Sequence, residues 1–220
     1  MTKNLRITLS VAAIALAALA CGIPGLPGAG GGCTPDDGNL FQDDFSDESC
    51  GWEDNFEDET GMSDYDQGGF RLRVDQVQYD YWANPNVNFS DVVIEVDARK
   101  IGGPDDNDFG VICRYVDAQN FYFFIVASDG FYAIGKSVNG DYTYIGSDFM
   151  EPTDAVFGGD ATNRIRADCA GNTLRLYANG NLLKEVTDST FTSGDVGLIA
   201  GTFDSPGTDV LFDNFVVRAP

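Results

Sequence analysis

Glu95-Val96-Asp97 is the pairing in this sequence with the most obvious chemical use, because residues two apart on a strand share a face. Two carboxyl groups held side by side can cleave a glycosidic bond, one giving a proton and the other attacking or activating water. The strand reads equally well as a solvated face whose Glu95, Asp97 and Arg99 meet cross-strand partners. The sequence has no histidine, which removes Ser-His-Asp and Cys-His catalysis and any histidine-ligated zinc. Aromatic rings offer another chemistry, stacking on the C–H faces of a ligand while nearby polar groups fix its orientation. Tyr79, Tyr81 and Trp82, beside Asn84 and Asn86, form one such group. Tyr132, Tyr142 and Tyr144 form a second, with Tyr142 and Tyr144 on one face. Asp213 falls between Leu211 and Phe215 in an alternating run, so it is expected to point inward, where a carboxylate needs a partner.

These residues need strands to position them, and strands are what the pattern predicts. From Leu40 onward there is no helical periodicity; short β-branched and aromatic runs are separated by Gly, Asn and Asp. Phe70, Leu72 and Val74 alternate with Arg71, Arg73 and Asp75, giving one buried and one wet face. Asp129-Gly130, Asn139-Gly140 and Asn179-Gly180 are two-residue hairpin signals, and Gly171-Asn172 lies between two alternating runs. The expected fold is all-β, an antiparallel two-sheet sandwich. The acidic runs Asp64–Gly68 and Pro104–Asp108 do not follow an EF-hand register and read as solvated turns.

Residues 1–20 have the build of a secretory signal: Lys3 and Arg6 precede an uncharged apolar run from Ile7 to Ala20, too short to span a bilayer as a permanent helix. Its end, Ala18-Leu19-Ala20-Cys21-Gly22, resembles the lipobox of bacterial lipoproteins, with Leu19 one place nearer the cysteine than usual. The resemblance implies that Cys21 is lipidated and that the protein is membrane-anchored on the extracytoplasmic side. Residues 21–38 are rich in Gly and Pro and read as a tether, leaving 39–220 as the folded domain. Export permits disulfides. With Cys21 set aside, Cys33, Cys50, Cys113 and Cys169 allow three pairings, of which Cys33–Cys50 with Cys113–Cys169 is the expected one. A net charge of −22 makes nucleic acid a poor partner, since phosphates need clustered cations.

Several stretches together resemble the concanavalin A-like, laminin G-like jelly-roll superfamily. They are Asp43-Asp44-Phe45-Ser46-Asp47, Trp52, Val93 to Arg99, Phe109 to Tyr115, Asn120 to Phe123, Leu174 to Gly180 and Leu211 to Val217. The resemblance implies a jelly roll over nearly the whole domain. Its members include lectins, carbohydrate-binding modules, glycoside hydrolases and protein-binding modules. Hydrolases resembling the laminarinase family carry Glu-x-Asp-x-x-Glu, and Arg99 and Lys100 break that motif here. The resemblance also places Arg114 and Tyr115 beside the second aromatic group. It further implies a structural calcium where the first and last strands meet, held by Asp44 and Asp213 with Asp43 as a further ligand. The expected function is non-catalytic binding of a carbohydrate or surface polymer; a protein-binding module and a glycosidase are the alternatives.

Overall fold

A computed structural model describes Cys33 and residues 38–46, 48–53 and 56–220. The signal segment, Cys21 and nearly all of the tether lie outside the described residues. The chain opens with β1 (Phe41–Asp43), β2 (Phe56–Glu57), β3 (Gly61–Asp66), β4 (Gly69–Val74), β5 (Asp80–Ala83) and β6 (Val92–Gly102). It continues through β7 (Asp108–Asp117), β8 (Asn120–Ala127), β9 (Phe131–Val138), β10 (Asp141–Tyr144) and β11 (Glu151–Pro152). The last strands are β12 (Thr162–Ala170), β13 (Thr173–Ala178), β14 (Asn181–Thr187), β15 (Asp195–Gly201) and β16 (Thr208–Arg218).

They form two antiparallel sheets. The first runs β14-β13-β12-β6-β16-β4-β3-β2, with β1 beside the far end of β16; the second runs β10-β9-β8-β7-β15-β5, with β11 beside β9. Two meanders, β7–β10 and β12–β14, carry the expected hairpins. Asn139-Gly140 and Asn179-Gly180 have positive φ at both residues, as type I′ hairpins require. At Asp129-Gly130 and Gly171-Asn172 only the glycine does, whereas Gln67-Gly68, which joins β3 to β4, has positive φ at both residues. The run Asp64–Gly68 is thus the end of a strand and its hairpin turn, not a free loop; Arg71 bonds Asp66 and Asp209 across it.

Between the sheets lies the core. Phe70, Leu72 and Val74 of β4 and Ile94, Val96 and Ala98 of β6 meet Phe109, Val111, Tyr122, Phe124 and Val126 of the second sheet. Trp52 anchors one end, its ring centroid 5.0 Å from Phe215 and 5.4 Å from Phe70. The disulfides pair as expected. Cys113–Cys169 joins β7 to β12 across the core, and Cys33–Cys50 closes the segment containing β1.

β8 is buried along almost its whole length, so its two faces are not told apart by polarity. Tyr122, Phe124 and Val126 face the core, while Phe121, Phe123 and Ile125 belong to a second apolar cluster on the outer face of the second sheet. A strand greasy on both faces needs cover on both. Much of that outer cover is aromatic.

Candidate binding cleft

The cover comes from three strands. Trp82 of β5 meets Phe121 at 5.5 Å, and Tyr115 of β7 stacks on the same ring at 5.7 Å. Tyr142 of β10 closes on Phe121 and Phe123 at 5.9 and 5.6 Å, and Tyr144 reaches Phe123 at 6.2 Å. Phe123 can lie flat there because Gly135, beneath it on β9, has no Cβ; one would sit 2.1 Å from the ring. The row therefore runs from Trp82 and Tyr115 to Tyr144, with Tyr142 at its middle and 44 % exposed.

Beside this row opens a cleft of about 730 Å³ lined by Phe123, Tyr142, Tyr144, Ile199, Asp80 and Asp108 among others. Asp80 lies two residues from Trp82 on β5, and Asp108 starts β7. Their Oδ1 atoms stand 2.3 and 2.9 Å from the point where a Cβ on Gly201 of β15 would be, so that glycine makes room for both. Burial pushes the Asp80 carboxyl up to about 6, against the opposing effect of the Tyr142 hydroxyl. Burial, and then the neighbouring Asp80 charge, holds Asp108 well above the usual carboxylate range. Burial followed by the two carboxylates pushes the Tyr144 hydroxyl up to about 12.

A carboxyl whose pKa is higher folded than unfolded adds no cost at low pH, and its cost grows as pH rises from the unfolded pKa to the folded one. Asp108→Asn is therefore expected to raise unfolding free energy at about pH 8 and to leave it unchanged at about pH 3. Urea titrations at the two pH values measure this. A gain of equal size at both would mean that ionisation is not what strains the pair.

The expected site residues separate. Trp82, Tyr115, Tyr142 and Tyr144 come together on the outer face. Tyr81 does not: alternation turns it to the other side of β5, where it meets Thr60 Oγ1 at 2.5 Å and rings of Phe56 and Tyr79. Tyr79 goes with it. Tyr132 lies on the core face of β9 and donates to the Leu183 carbonyl, apart from Tyr142 and Tyr144. Arg114 is buried and does not reach the cleft. It takes a left-handed backbone (φ 51°) at a bulge in β7 and turns inward, donating to the carbonyls of Ser90, Phe191 and Gly171 and to Asp91. The same bulge puts Tyr115 on the outer face. Asp108, expected in a solvated turn, is 5 % exposed.

At the other expected site, β1 pairs with β16 at Asp43↔Phe215. Asp43 is buried and accepts from the Phe45 N–H at 2.7 Å and from Trp52 Nε1 at 2.8 Å. Asp213 does not point into the core. A bulge at Asn214 (φ 53°) shifts the alternation, so Phe212 and Phe215 are buried while Asp213 shares the outer side with Leu211. Burial raises the Asp213 carboxyl, with Asp97 and Asp44 adding to the shift, so Asp44 and Asp213 are electrostatic neighbours. With Asp43 committed to two donors, these are a thin ligand set, and among the described residues no group of three or more acidic, Cys or His side chains is arranged for a metal. Glu95 and Asp97 lie on the outer face of the first sheet, away from the cleft. Arg164 bonds both, and Arg218 bonds Glu95.

No protein-family model and no curated protein matches the sequence. Solved structures do match. They include the carbohydrate-binding module CBM66 from Bacillus subtilis, with TM-score 0.62 and 20 % identity over 77 % of this chain and 96 % of that one. A Bacillus subtilis protein of unknown function with a galectin-like fold gives TM-score 0.58 and 14 % identity over 84 % and 97 %. A Bacillus licheniformis β-glucanase gives TM-score 0.55 and 11 % identity over 84 % and 100 %. The likeness shows the fold, a two-sheet antiparallel jelly-roll sandwich.

Asp80 and Phe123 line the cleft although neither is among the expected site residues. For Asp80 a signal existed: it shares its strand face with Trp82.

Proposed function

We propose that this chain is an exported, lipid-anchored module that holds a saccharide against the outer face of its second sheet without cleaving it. The observation that carries the reading is the continuous aromatic row from Trp82 and Tyr115 to Tyr144 beside an open cleft. Large rings held by their neighbours give contact area at low entropic cost, and the cleft carboxylates and hydroxyls can bond sugar hydroxyls. The likeness to a carbohydrate-binding module supports it, and the two disulfides fit an oxidising compartment outside the cytoplasm. Lipidation at Cys21 places the cleft at a membrane surface.

The test is a glycan and cell-wall polymer array probed with the full chain. Tyr142→Ala and Trp82→Ala are each expected to weaken binding to the recognised set severalfold, up to about tenfold, since a stacked ring contributes about 0.5–1.5 kcal/mol. Tyr132→Phe, on the core side, is expected to leave binding unchanged. Silence across the array sinks the saccharide reading and puts a protein partner first. Repeating the array with a chelator tests the separate proposal of calcium at Asp44 and Asp213. One observation favours hydrolysis as a second reading: Asp80 and Asp108 bring two carboxyls from different strands to one point. Shortened products from a bound oligosaccharide, absent in Asp108→Asn, would establish it.

A further inference from the structure

Asp108 is the polar side chain that the fold itself explains least. It is almost wholly buried, it lines the cleft, and among the described residues no donor reaches its carboxylate. Asp80 crowds the same point above Gly201. No Lys or Arg lines the cleft, and Lys184, bonded to Ser147 at the rim, is already paired with Glu151. Two like charges over an apolar floor are costly to leave together, and a cation between them relieves both.

The chemistry of the surroundings chooses among cations. Calcium takes about six to eight oxygen ligands; the cleft brings two carboxylates close, Asp148 also lies on its lining, and among the described residues no three acidic groups are arranged for a metal. An ammonium needs at most three acceptors and is drawn to the faces of aromatic rings. Phe123, Tyr142 and Tyr144 line the cleft alongside the two carboxylates. We infer that Asp80 and Asp108 receive the ammonium group of an amino sugar whose ring lies along the Tyr142–Tyr144 part of the aromatic row. This rests on the saccharide reading and narrows it to glycans bearing free amines. The net charge of −22 favours the approach of such a polycation.

Calorimetry on the full chain tests it with a glucosamine hexasaccharide, its fully N-acetylated counterpart and calcium chloride alone, at near-neutral pH, where a share of the amines stays charged and the two carboxyls can ionise. The free-amine hexamer is expected to bind roughly tenfold tighter or more than the acetylated one. Asp108→Asn and Asp80→Asn should each bring the ratio of the two hexamers' affinities close to one, and a retained melting transition shows that each variant folds. Equal affinity for the two hexamers, or a preference that survives both substitutions, overturns the inference. So does calcium binding at Asp108 that excludes the sugar. If neither hexamer binds but neutral glycans on the array do, the amine is wrong and the saccharide reading stands. If no glycan binds, both fall.

Discussion

Replacing Cys113 and Cys169 together by alanine is expected to lower unfolding free energy by about 4 kcal/mol, the larger of the two disulfide effects in this chain. The bond closes a loop of 56 residues, against 17 for Cys33–Cys50, and loop-closure entropy grows with the length closed. It also ties one sheet to the other, at two cysteines with no solvent exposure. A domain of this size is stable by about 5–15 kcal/mol, so the loss is a large share of the total. Urea unfolding of both double variants gives the ranking. A larger loss from Cys33→Ala with Cys50→Ala would mean that the N-terminal bridge, not the inter-sheet one, limits the unfolded chain.

Arg114→Ala is expected to cost about 3 kcal/mol or more in stability, because three carbonyls inside the fold would lose their donor at once. Lysine should not rescue it: one ammonium cannot serve carbonyls from three separate segments plus Asp91, as the planar guanidinium does. The guanidinium gathers the Ser90–Asp91 turn, Gly171 and Phe191 around the bulge that presents Tyr115, so saccharide affinity is expected to fall as well, through Tyr115. The two effects separate in a urea titration alongside a binding isotherm. A variant of undiminished stability that binds weakly would return Arg114 to the role of direct ligand contact.

Most strands were legible in the sequence because alternation and turn chemistry are local. β4 shows it: Arg71 and Arg73 face water while Phe70, Leu72 and Val74 do not. What was illegible has two physical causes. A bulge adds one residue and inverts the face of everything beyond it, and no composition rule marks the place. The bulges at Arg114 and Asn214 are why an expected ligand contact is a buried clamp and an expected inward Asp213 is not inward. The other cause is burial on both faces. In β8 every side chain after Asn120 is buried, so nothing in Phe121–Ala127 tells the floor of a binding surface from the core. Asp108 is hidden for a related reason: an acidic residue after Asp105, Asp106 and Asn107 looks wet, and only the pairing of β7 and β5 on either side of β15 shows that it is not.

The position of Cys33–Cys50 also decides how this protein takes a mechanical load. β1 lies wholly inside the covalent loop that the bridge closes, and its three residues pair with Phe215–Val217. Tension on the chain ahead of Cys33 passes through sulfur to Cys50 and bypasses β1. The shortest strand on the seam is thereby spared, and force enters the sandwich two residues before Trp52, at a ring packed against Phe41, Phe45, Phe70 and Phe215. A module pulled by a tether at one end and by a bound polymer at its cleft would then yield by breaking the core around that tryptophan, not by unzipping its first strand.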